Sequence, residues 1–303
     1  MQNKLTVRIA EGLGNQLFMY AHSYALSKKI DYKLIVDDVS GYFKKKDIRK
    51  YELDNFNISA LKINVKDKFD SNFLDLKRKT LKKLDFLNNK KKFLIEKKDQ
   101  FKKTFFYEYN LENFANKFYV EGNFESEKYF NEYKKDLLNE FKIKNEKLFN
   151  TNSFFQNINN NDRIVSICVR QNRFSERIGN INNTLSIQKS NLFTKETIDY
   201  IYRAITFFEK KIENPIFYVW SNDFSNLKEY FPNNKFRFVD LKENKTINDF
   251  FLLLQCKNFI VGPTSFHWWG AWLSNFNNKI CTRPKNLNPS NNSDFWPESW
   301  IDI

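Results

Sequence analysis

Residues 4–38 read KLTVRIAEGLGNQLFMYAHSYALSKKIDYKLIVDD. Apolar stretches at 5–10 and 32–36 flank a longer segment in which Leu17 and Ala21 lie on one helical face. The pattern predicts a strand, a glycine turn, a helix and a second strand, which together form a βαβ unit. Because βαβ units build parallel sheets, the start of the chain predicts an α/β fold.

The second half of the chain continues this alternation of strand and helix. The predicted elements run in the order strand 164–169, helix 195–211, strand 216–220, helix 224–231, strand 235–239, helix 247–256, strand 259–261 and helix 265–275. This order predicts a parallel sheet covered by helices on both faces. Ligands bind beyond the carboxyl ends of such strands, so we expect the chemistry in the loops after Val169, Trp220 and Val261.

The length of 303 residues predicts two domains of roughly 150 residues each. Asparagines are frequent and apolar residues few between 145 and 162, as in a linker. We therefore expect an N-terminal domain over 1–155 and a C-terminal domain over 160–303. The first is expected to carry a lysine-rich helical insertion at about 62–103.

The insertion contributes strongly to the formal net charge of +14. Its spacing predicts one or two helices with an apolar inner face and a lysine-rich outer face. The residues of the expected inner face are Phe73, Leu76, Leu81, Leu84 and Leu87. A basic amphipathic surface that binds an anionic membrane or an anionic substrate is the alternative. Nucleic acid is not expected, since no zinc-finger, RNA-recognition or basic-zipper signature accompanies the charge.

Location and metal content are also predicted from the sequence. The N-terminus has no apolar core of signal-peptide length, and the weakly polar run 259–273 is too short to span a bilayer. Three widely spaced cysteines and two histidines form no cluster with metal-ligand spacing. We expect a cytoplasmic protein without structural zinc, and peripheral contact with the inner face of a bacterial plasma membrane is the alternative location.

The glycine turn Gly12–Gln16 has several interpretations. Its glycines let a ligand approach the backbone, and the helix predicted over 16–29 offers free N–H groups. Asp37 stands about where a dinucleotide fold places its ribose-binding acid, which favours an NAD enzyme. Leu17 occupies the third glycine position, however, and the side-chain amides of Asn15 and Gln16 suit sugar hydroxyls. A purely structural turn is the third alternative.

The three strand ends of the second half carry polar groups. Arg170 can clamp a diphosphate, or pair with a surface acid. Asp223 either contacts a ligand or caps the following helix. The segment Gly262–Phe266 joins a strand to a helix amino terminus, which is a ready phosphate site. The tryptophans of that helix form either core or a sugar platform.

Taken in order, these motifs resemble the bacterial α-1,2-fucosyltransferases of glycosyltransferase family 11 over nearly the whole chain. The resemblance rests on the segments 12–21, 122–130 and 264–273, with the strands that end at Arg170 and Ser221. It implies an α/β, GT-B-like architecture of two Rossmann-like domains facing across a cleft, the N-terminal one on the acceptor side and the C-terminal one binding the GDP-sugar. It also implies inverting transfer of fucose from GDP-fucose to a terminal galactose of a surface glycan, of lipopolysaccharide O-antigen or oligosaccharide type. The resemblance further implies that the transfer requires no metal and no cofactor.

The resemblance also implies roles for individual residues. Arg170 stabilises the leaving diphosphate, and Glu176 is the candidate general base. The other residues expected to bind the donor are Gly14, Asn15, Ser221, Asp223, Asp249, Thr264, Ser265 and Phe266. Those expected to bind the acceptor are Asn15, Gln16 and Arg173.

The chain departs from the family pattern at several positions. The usual His-x-Arg-Arg-Gly-Asp-Tyr appears as Cys-Val-Arg-Gln-Asn-Arg-Phe over 168–174, and Glu11 replaces a glycine. Pro263 and His267 stand where the family commonly has asparagine and serine. A transferase of the same fold with another linkage or acceptor, and a non-catalytic polyanion- or membrane-binding protein, are the competing interpretations.

Overall fold

The computed structural model describes residues 2–44, 48–96, 111–144, 153–159, 161–176, 182–241, 246–290 and 292–303. The chain separates into two compact units. The first unit comprises residues 1–144 and 290–297, and the second comprises 145–289 and 298–303.

This division differs from the expected boundary at 155–160. Residues 153–159 form a helix of the second unit rather than a linker. Residues 290–297 return to the first unit, where the ring of Phe295 packs 6.2 Å from that of Phe18. Asp294 adds an ion pair of 2.8 Å to Lys128. Neither contact could be read from sequence order, because the partners are far apart along the chain.

The first unit is a parallel sheet with its helices. Its elements are β1 Lys4–Arg8, α1 Leu13–Lys29, β2 Lys33–Asp37, β3 Leu61–Lys62, α2 Asn72–Lys83, β4 Lys91–Ile95, β5 Phe114–Glu121 and α3 Lys134–Glu140. The strand order is β3-β2-β1-β5-β4, and every neighbouring pair is parallel. The predicted βαβ unit is therefore present, with β1 at the centre of the sheet.

Helix α1 is buried along nearly its whole length. It begins at Leu13, earlier than predicted, because Gly12 takes the N-cap position. Gly14, Asn15 and Gln16 consequently lie in the first turn of the helix rather than in the loop that precedes it.

The second unit is also a parallel α/β layer structure. Its elements are α4 Ser153–Asn159, β6 Ile164–Val169, α5 Thr184–Lys211, β7 Ile216–Ser221, α6 Leu227–Tyr230, β8 Phe236–Phe238, α7 Thr246–Leu254, β9 Asn258–Ile260, α8 Ser265–Leu273, β10 Ile280–Arg283 and β11 Ile301–Asp302. The strand order is β11-β10-β9-β6-β7-β8, again with parallel neighbours. Strand β6 lies inside the sheet and is buried throughout, which explains its uninterrupted apolar sequence.

The tryptophans of α8 belong to the core of the second unit. Trp268 and Trp269 are completely buried, and their ring centroids lie 4.9 Å apart. Trp272 packs against both rings. The helix carries Gly270 where it meets α7, because a Cβ there would lie 2.2 Å from the side chain of Leu253. Of the two interpretations of this cluster, the structure supports core over sugar platform.

The lysine-rich segment 62–103 differs from its prediction in two ways. It is only partly helical, since β4 joins the sheet beside β5, and residues 97–103 lie outside the described part. The orientation predicted for the helix is wrong, because Phe73 and Leu76 are exposed while Asp75 and Arg78 are buried. The physical reason is an ion-pair cluster beneath α2, described below.

Glu11 adopts a left-handed backbone conformation, with φ of 62°. This conformation costs a residue with a side chain roughly 1 kcal/mol, whereas glycine adopts it freely. We expect Glu11→Gly to raise the free energy of unfolding by about 0.5 to 1 kcal/mol. Urea denaturation measures this, with Lys50→Gly as a control at an exposed position outside the left-handed region. A destabilised Glu11→Gly protein would contradict the account of this turn.

Candidate active site

The loops that follow β6, β7 and β9 meet at one edge of the second sheet. Val169 pairs with Ser221 at the end of β7, and Ile167 pairs with Ile260 at the end of β9. The three polar loops that follow these strands therefore lie next to one another at the carboxyl edge of the sheet, as predicted for a parallel sheet.

Arg170 is held by Glu176 at the first of these loops. Its Nη2 donates to both carboxylate oxygens of Glu176, at 2.5 and 2.6 Å, and both side chains are partly exposed. Within the described part of the chain, the other guanidinium nitrogens make no hydrogen bond. The ion pair orients a cation that still has donors available. It also occupies the carboxylate of the candidate base, so a base role for Glu176 stays a prediction.

An amide network joins the first loop to the loop after β7. The Gln171 amide N–H donates to Asn222 Oδ1 at 2.9 Å, and Asn222 Nδ2 donates to the Gln171 carbonyl at 3.1 Å. Gln171 Nε2 also donates to the carbonyl oxygens of Asp223 and Ser225, at 2.7 and 2.9 Å. Gln171 stands where the family pattern has a second arginine, and here its uncharged amide fixes the spacing of two loops.

Ser221 and Asp223 shape the second loop. The Ser221 hydroxyl donates to the Asp223 carbonyl at 2.5 Å and accepts from the Asp223 amide at 3.1 Å. The Asp223 carboxylate accepts from the Ser225 amide at 2.9 Å and from Asn172 Nδ2 at 3.1 Å. The hydrogen bonds from Ser225, followed by that from Asn172, lower the pKa of Asp223. Asp223 is thus an ionised group that caps a turn, while α6 begins later, after Asn226.

Asn172 stands where the family pattern has glycine, and its φ is 56°. Asparagine tolerates the left-handed region better than most residues with a side chain. The loop conformation that a glycine would favour is therefore retained in this chain.

The guanidinium of Arg173 contacts backbone carbonyl groups, and its acceptor-binding role stays a prediction. Its Nη2 donates to the carbonyl of Pro289 at 2.7 Å, and its Nη1 lies 3.5 Å from the carbonyl of Pro263. The guanidinium also lies 5.0 Å from the ring centroid of Phe193. Arg173 acts as a positioning residue that ties the loop after β9 to neighbouring backbone.

His267 fixes the third loop from within the core. Its Nδ1 accepts from the amide of Gly262 at 2.8 Å, so Nε2 carries the proton and donates to Ser166 Oγ at 3.0 Å. Complete burial lowers the pKa of His267 to about 3, which keeps the ring neutral. His267, which stands where the family commonly has serine, thus holds the Gly262 turn in place through buried hydrogen bonds.

Thr264, Ser265 and Phe266 form the beginning of α8. Thr264 is the N-cap, and its hydroxyl accepts from the His267 amide at 3.1 Å. Ser265 and Phe266 are half-buried in the first turn, and the Phe266 ring packs 5.3 Å from that of Phe250. The first turn of a helix offers amide groups and a positive dipole end to an anion.

Cys168 lies near the end of β6, where the turn at Gly262 packs closely against its carbonyl group. Burial raises the pKa of its thiol to about 11, while a hydrogen bond with Thr264 and the charge of Arg170 act in the opposite direction. The charge of Asp249 also acts on this thiol. Arg170 follows β6 directly, the turn before Thr264 packs on Cys168, and the rings of Phe250 and Phe266 join the starts of α7 and α8 at 5.3 Å. Arg170, Thr264 and Asp249 therefore lie on neighbouring elements at this edge of the sheet.

Asp249 is a half-buried carboxyl in the first turn of α7. Burial, and secondarily the charge of Asp240, raises its pKa to about 6. It makes no hydrogen bond to another described residue. A partly desolvated carboxylate of this kind is a candidate for ligand recognition.

In the first unit, Gln16 is buried and its amide is fully engaged. Its Nε2 donates to the carbonyl oxygens of Glu11 and Lys50, at 3.0 and 2.8 Å, and its Oε1 accepts from the Glu52 amide at 2.9 Å. Gln16 therefore positions the turn, and the acceptor contact expected for it stays a prediction. Asn15 is half-exposed one residue earlier, and Gly14 is buried in the same helical turn.

Arg49 lies beside the same turn and was missed by the sequence analysis. Its Nη1 is 3.6 Å from the place where a Cβ on Gly12 would stand. Arg49 is half-buried and hydrogen-bonds to no described residue. No spacing rule links it to the turn, so its position could not be predicted from the sequence.

Asp37 does not offer a ribose-binding carboxylate. Its oxygens accept from the amides of Val39 and Ser40, at 3.1 and 2.9 Å, and from the hydroxyls of Ser40 and Tyr119. The carboxylate is completely buried. The Asp37 carboxylate is therefore occupied by hydrogen bonds within the protein and is not available to a ribose. This removes the residue on which the dinucleotide interpretation depended.

Across the described ranges, no group of three or more His, Cys, Asp or Glu side chains lies close enough to hold a metal ion. The same residues include no helix that is long and apolar enough to cross a membrane.

Known proteins similar to this chain are glycosyltransferases. Over 97% of this chain and 99% of the relative, it is 27% identical to the O-antigen biosynthesis glycosyltransferase WbnK of Escherichia coli. It is also 28% identical to an alpha-1,2-colitosyltransferase of Escherichia coli, in an alignment that covers 99% of this chain and 98% of the relative.

Solved structures show the same fold at low sequence identity. An Arabidopsis thaliana FUT1 variant in complex with GDP matches 98% of this chain and 75% of its own, with a TM-score of 0.55 and 14% identity. The fucosyltransferase NodZ from Bradyrhizobium matches 89% of this chain and 93% of its own, with a TM-score of 0.51 and 13% identity. These likenesses, with the two parallel sheets, confirm the α/β, GT-B-like fold class.

The family model of glycosyl transferase family 11 matches residues 4–302. This match covers nearly the whole chain and includes all three loops of the candidate site. The chain therefore belongs to glycosyltransferase family 11.

Proposed function

We propose that this glycosyltransferase is an inverting, metal-independent α-1,2-fucosyltransferase that moves fucose from GDP-fucose to a terminal galactose. The observation that carries the proposal is that Arg170, Thr264 and Asp249 lie on neighbouring elements at one edge of the second sheet. There the turn at Gly262 packs on Cys168, and the ring of Phe266 packs 5.3 Å from that of Phe250. The group combines a cation with free donors, a helix amino terminus and an unpaired carboxylate. These are the features that a guanine nucleotide diphosphate requires.

Arg170 neutralises the leaving diphosphate in this proposal. The acceptor hydroxyl attacks the anomeric carbon as the bond from that carbon to the phosphate oxygen breaks. The proton of the hydroxyl passes to the candidate base Glu176 or to water, and negative charge grows on the diphosphate. The free guanidinium nitrogens of Arg170 and the first amides of α8 stabilise that charge without a metal ion. A preorganised donor of this kind is typically worth about 2.7 to 4 kcal/mol in the transition state.

Asp249 recognises the guanine base in the proposal. The Watson–Crick edge of guanine presents an N–H and an exocyclic amino group, and an ionised carboxylate can accept from both. The carboxylate is partly desolvated before the ligand arrives, which strengthens such hydrogen bonds. In the same proposal, Ser221 and Asp223 of the loop after β7 bind the ribose of the nucleotide.

We expect Asp249→Asn to weaken GDP binding at least tenfold at neutral pH and to stabilise the ligand-free protein. The raised pKa means that the folded chain holds the proton more tightly than the unfolded chain does. The ionised carboxyl therefore costs stability as the pH rises from about 4 through 6. Because the group is partly solvated, its removal should recover only about 1 kcal/mol at neutral pH. Calorimetric titration and thermal unfolding at several pH values measure both effects.

The matched control for this experiment is Asp240→Asn, since Asp240 is the neighbouring acid. It should lower the pKa of Asp249 while preserving affinity for GDP. Wild-type affinity should also fall below about pH 6, as Asp249 takes up its proton. Unchanged GDP affinity in Asp249→Asn would remove the guanine contact from the proposal.

The acceptor is proposed to be a galactose-ended surface glycan of O-antigen type. The support is the likeness to two Escherichia coli transferases, of which one is named for O-antigen biosynthesis and the other for an α-1,2 linkage. The second name also supports a competing donor, a colitose nucleotide, which differs from its fucose counterpart by one hydroxyl group on the sugar.

The test supplies GDP-fucose, GDP-colitose or GDP-mannose with a panel of β-galactosides in the presence of EDTA. We expect transfer from GDP-fucose, with the product linkage fixed as α-1,2 by NMR. Transfer from GDP-colitose alone would show that the proposed donor, GDP-fucose, is wrong. A product with another linkage would show that the proposed α-1,2 regiochemistry is wrong. Turnover that appears only after a divalent metal is added would contradict metal independence.

A further inference from the structure

Helix α2 of the first unit carries its apolar face outward. Phe73 is 75% exposed, Leu76 is 62% exposed and Leu84, at the C-cap, is 46% exposed. At 100° per residue these three positions share one side of the helix. Phe86 and Leu87 are also exposed in the turn that follows. We call these five residues the outer face of α2.

A charged cluster fixes the opposite side of α2 to the sheet. Arg78 is buried and pairs with Asp75 at 2.7 Å, and it also pairs with Glu121 at the end of β5. Lys82 reaches the same carboxylate of Glu121 at 2.8 Å. Rotating the helix to bury the outer face would break these partly buried ion pairs and leave unpaired charges, which is strongly unfavourable. The outward orientation is therefore built into the fold of the first unit.

Free lysines flank the outer face. Lys77 and Lys83 lie on α2, and Lys90, Lys91 and Lys92 follow the exposed turn; all are exposed. None of them forms an ion pair with another described residue. Asp75 of α2 and Asp85 of the turn that follows are buried and bonded within the protein. The surface therefore combines exposed apolar side chains with lysines that form no ion pair with another described residue.

We propose that the outer face of α2 docks on the surface of an anionic lipid bilayer. Large apolar side chains insert at the boundary between headgroups and acyl chains, while lysines remain at the level of the phosphates. Each lysine near an anionic leaflet adds to the attraction, and five of them suit such a surface better than a neutral one. A nucleic acid would match the charge but not the phenylalanine and leucine side chains. This inference is independent of the proposed donor and linkage.

The test is flotation of the purified full chain with phosphatidylglycerol-rich vesicles and with phosphatidylcholine vesicles, at low and high salt. We expect binding to the anionic vesicles that high salt weakens. The triple variant Phe73→Ser, Leu76→Ser, Leu84→Ser and the triple variant Lys77→Gln, Lys83→Gln, Lys90→Gln should each lower the partition coefficient at least tenfold. Both change exposed side chains, so the fold and the solution activity should persist.

Matched controls come from α5 of the second unit, which also carries exposed leucines and lysines. Leu185→Ser with Leu192→Ser, and Lys189→Gln with Lys195→Gln and Lys210→Gln, should bind vesicles as the wild type does. Equal losses in the α5 variants would overturn the assignment to α2. Failure of the wild type to bind anionic vesicles would overturn the proposal itself. A shift from dimer to monomer in the Phe73 variant, without any change in vesicle binding, would instead make the outer face an interface between copies.

Discussion

Replacing Arg170 with alanine is expected to lower turnover about 10²- to 10³-fold, with a large loss of GDP affinity. The guanidinium lies at the end of a buried strand, oriented by Glu176, with its remaining nitrogens available to a phosphate. Its removal leaves the charge of the leaving diphosphate without its principal counter-charge. Arg170→Lys should recover part of the affinity, because it keeps the charge but loses the planar fork of donors.

The measurement is initial-rate transfer from the donor, with GDP affinity determined in parallel by calorimetry. Arg203→Ala is the matched control, since Arg203 lies on an exposed face of α5 and donates to a carbonyl of its own helix. Turnover of Arg170→Ala within twofold of the wild type would mean that another group stabilises the diphosphate, and the proposed site would then be wrong.

The second large effect is expected from Gly262→Ala, on stability rather than on chemistry. A Cβ at this position would stand 2.1 Å from the carbonyl oxygen of Cys168 and 3.0 Å from its carbonyl carbon. Both are backbone atoms of a central strand, so neither can move without distorting β6. We expect a loss of about 3 kcal/mol or more in the free energy of unfolding.

Urea denaturation measures this loss, and Gly12→Ala supplies the control in the other unit. The nearest atom to a Cβ on Gly12 is Arg49 Nη1 at 3.6 Å, which is ordinary contact. Gly12→Ala should therefore cost less than about 1 kcal/mol, chiefly through the weaker N-cap. Equal stability of the two variants would contradict the close approach of Gly262 to Cys168.

The elements of the second unit were predicted well because their strands are buried on both faces. The predicted strand 164–169 coincides with β6, since an uninterrupted apolar run between polar boundaries has few other solutions. Helix α5 was predicted to begin at 195 but begins at Thr184, where the Asn183 side chain accepts from the Ser186 amide. The first turns of α5 are largely exposed, and their apolar side chains Leu185 and Ile187 do not face the core, so hydrophobic periodicity could not reveal them.

The orientation of α2 shows where periodicity fails for a physical reason. The pattern correctly indicated an amphipathic helix, but it cannot tell which face turns inward. Here Glu121 of a distant strand pairs with Arg78 and draws the charged face toward the sheet. The partner lies on another element, and a sequence window around α2 does not contain it.

The candidate site was likewise predicted in its positions more reliably than in its roles. Arg170, Asp249 and Thr264 lie on neighbouring elements because the strand ends of a parallel sheet meet at one edge. Gln16 and Arg173 were expected to contact the acceptor, yet both are engaged by backbone groups. An amide or guanidinium has the same chemistry in either role, so only its surroundings distinguish them.

The central claim is a metal-free site for a guanine nucleotide diphosphate in the second unit. Its most direct test is calorimetric titration of the purified chain with GDP, GDP-fucose and NAD, all in EDTA. The account predicts saturable binding of GDP and GDP-fucose, strongly weakened in Arg170→Ala, with no binding of NAD. Absence of guanine nucleotide binding in EDTA, or binding of equal strength in Arg170→Ala, would contradict it.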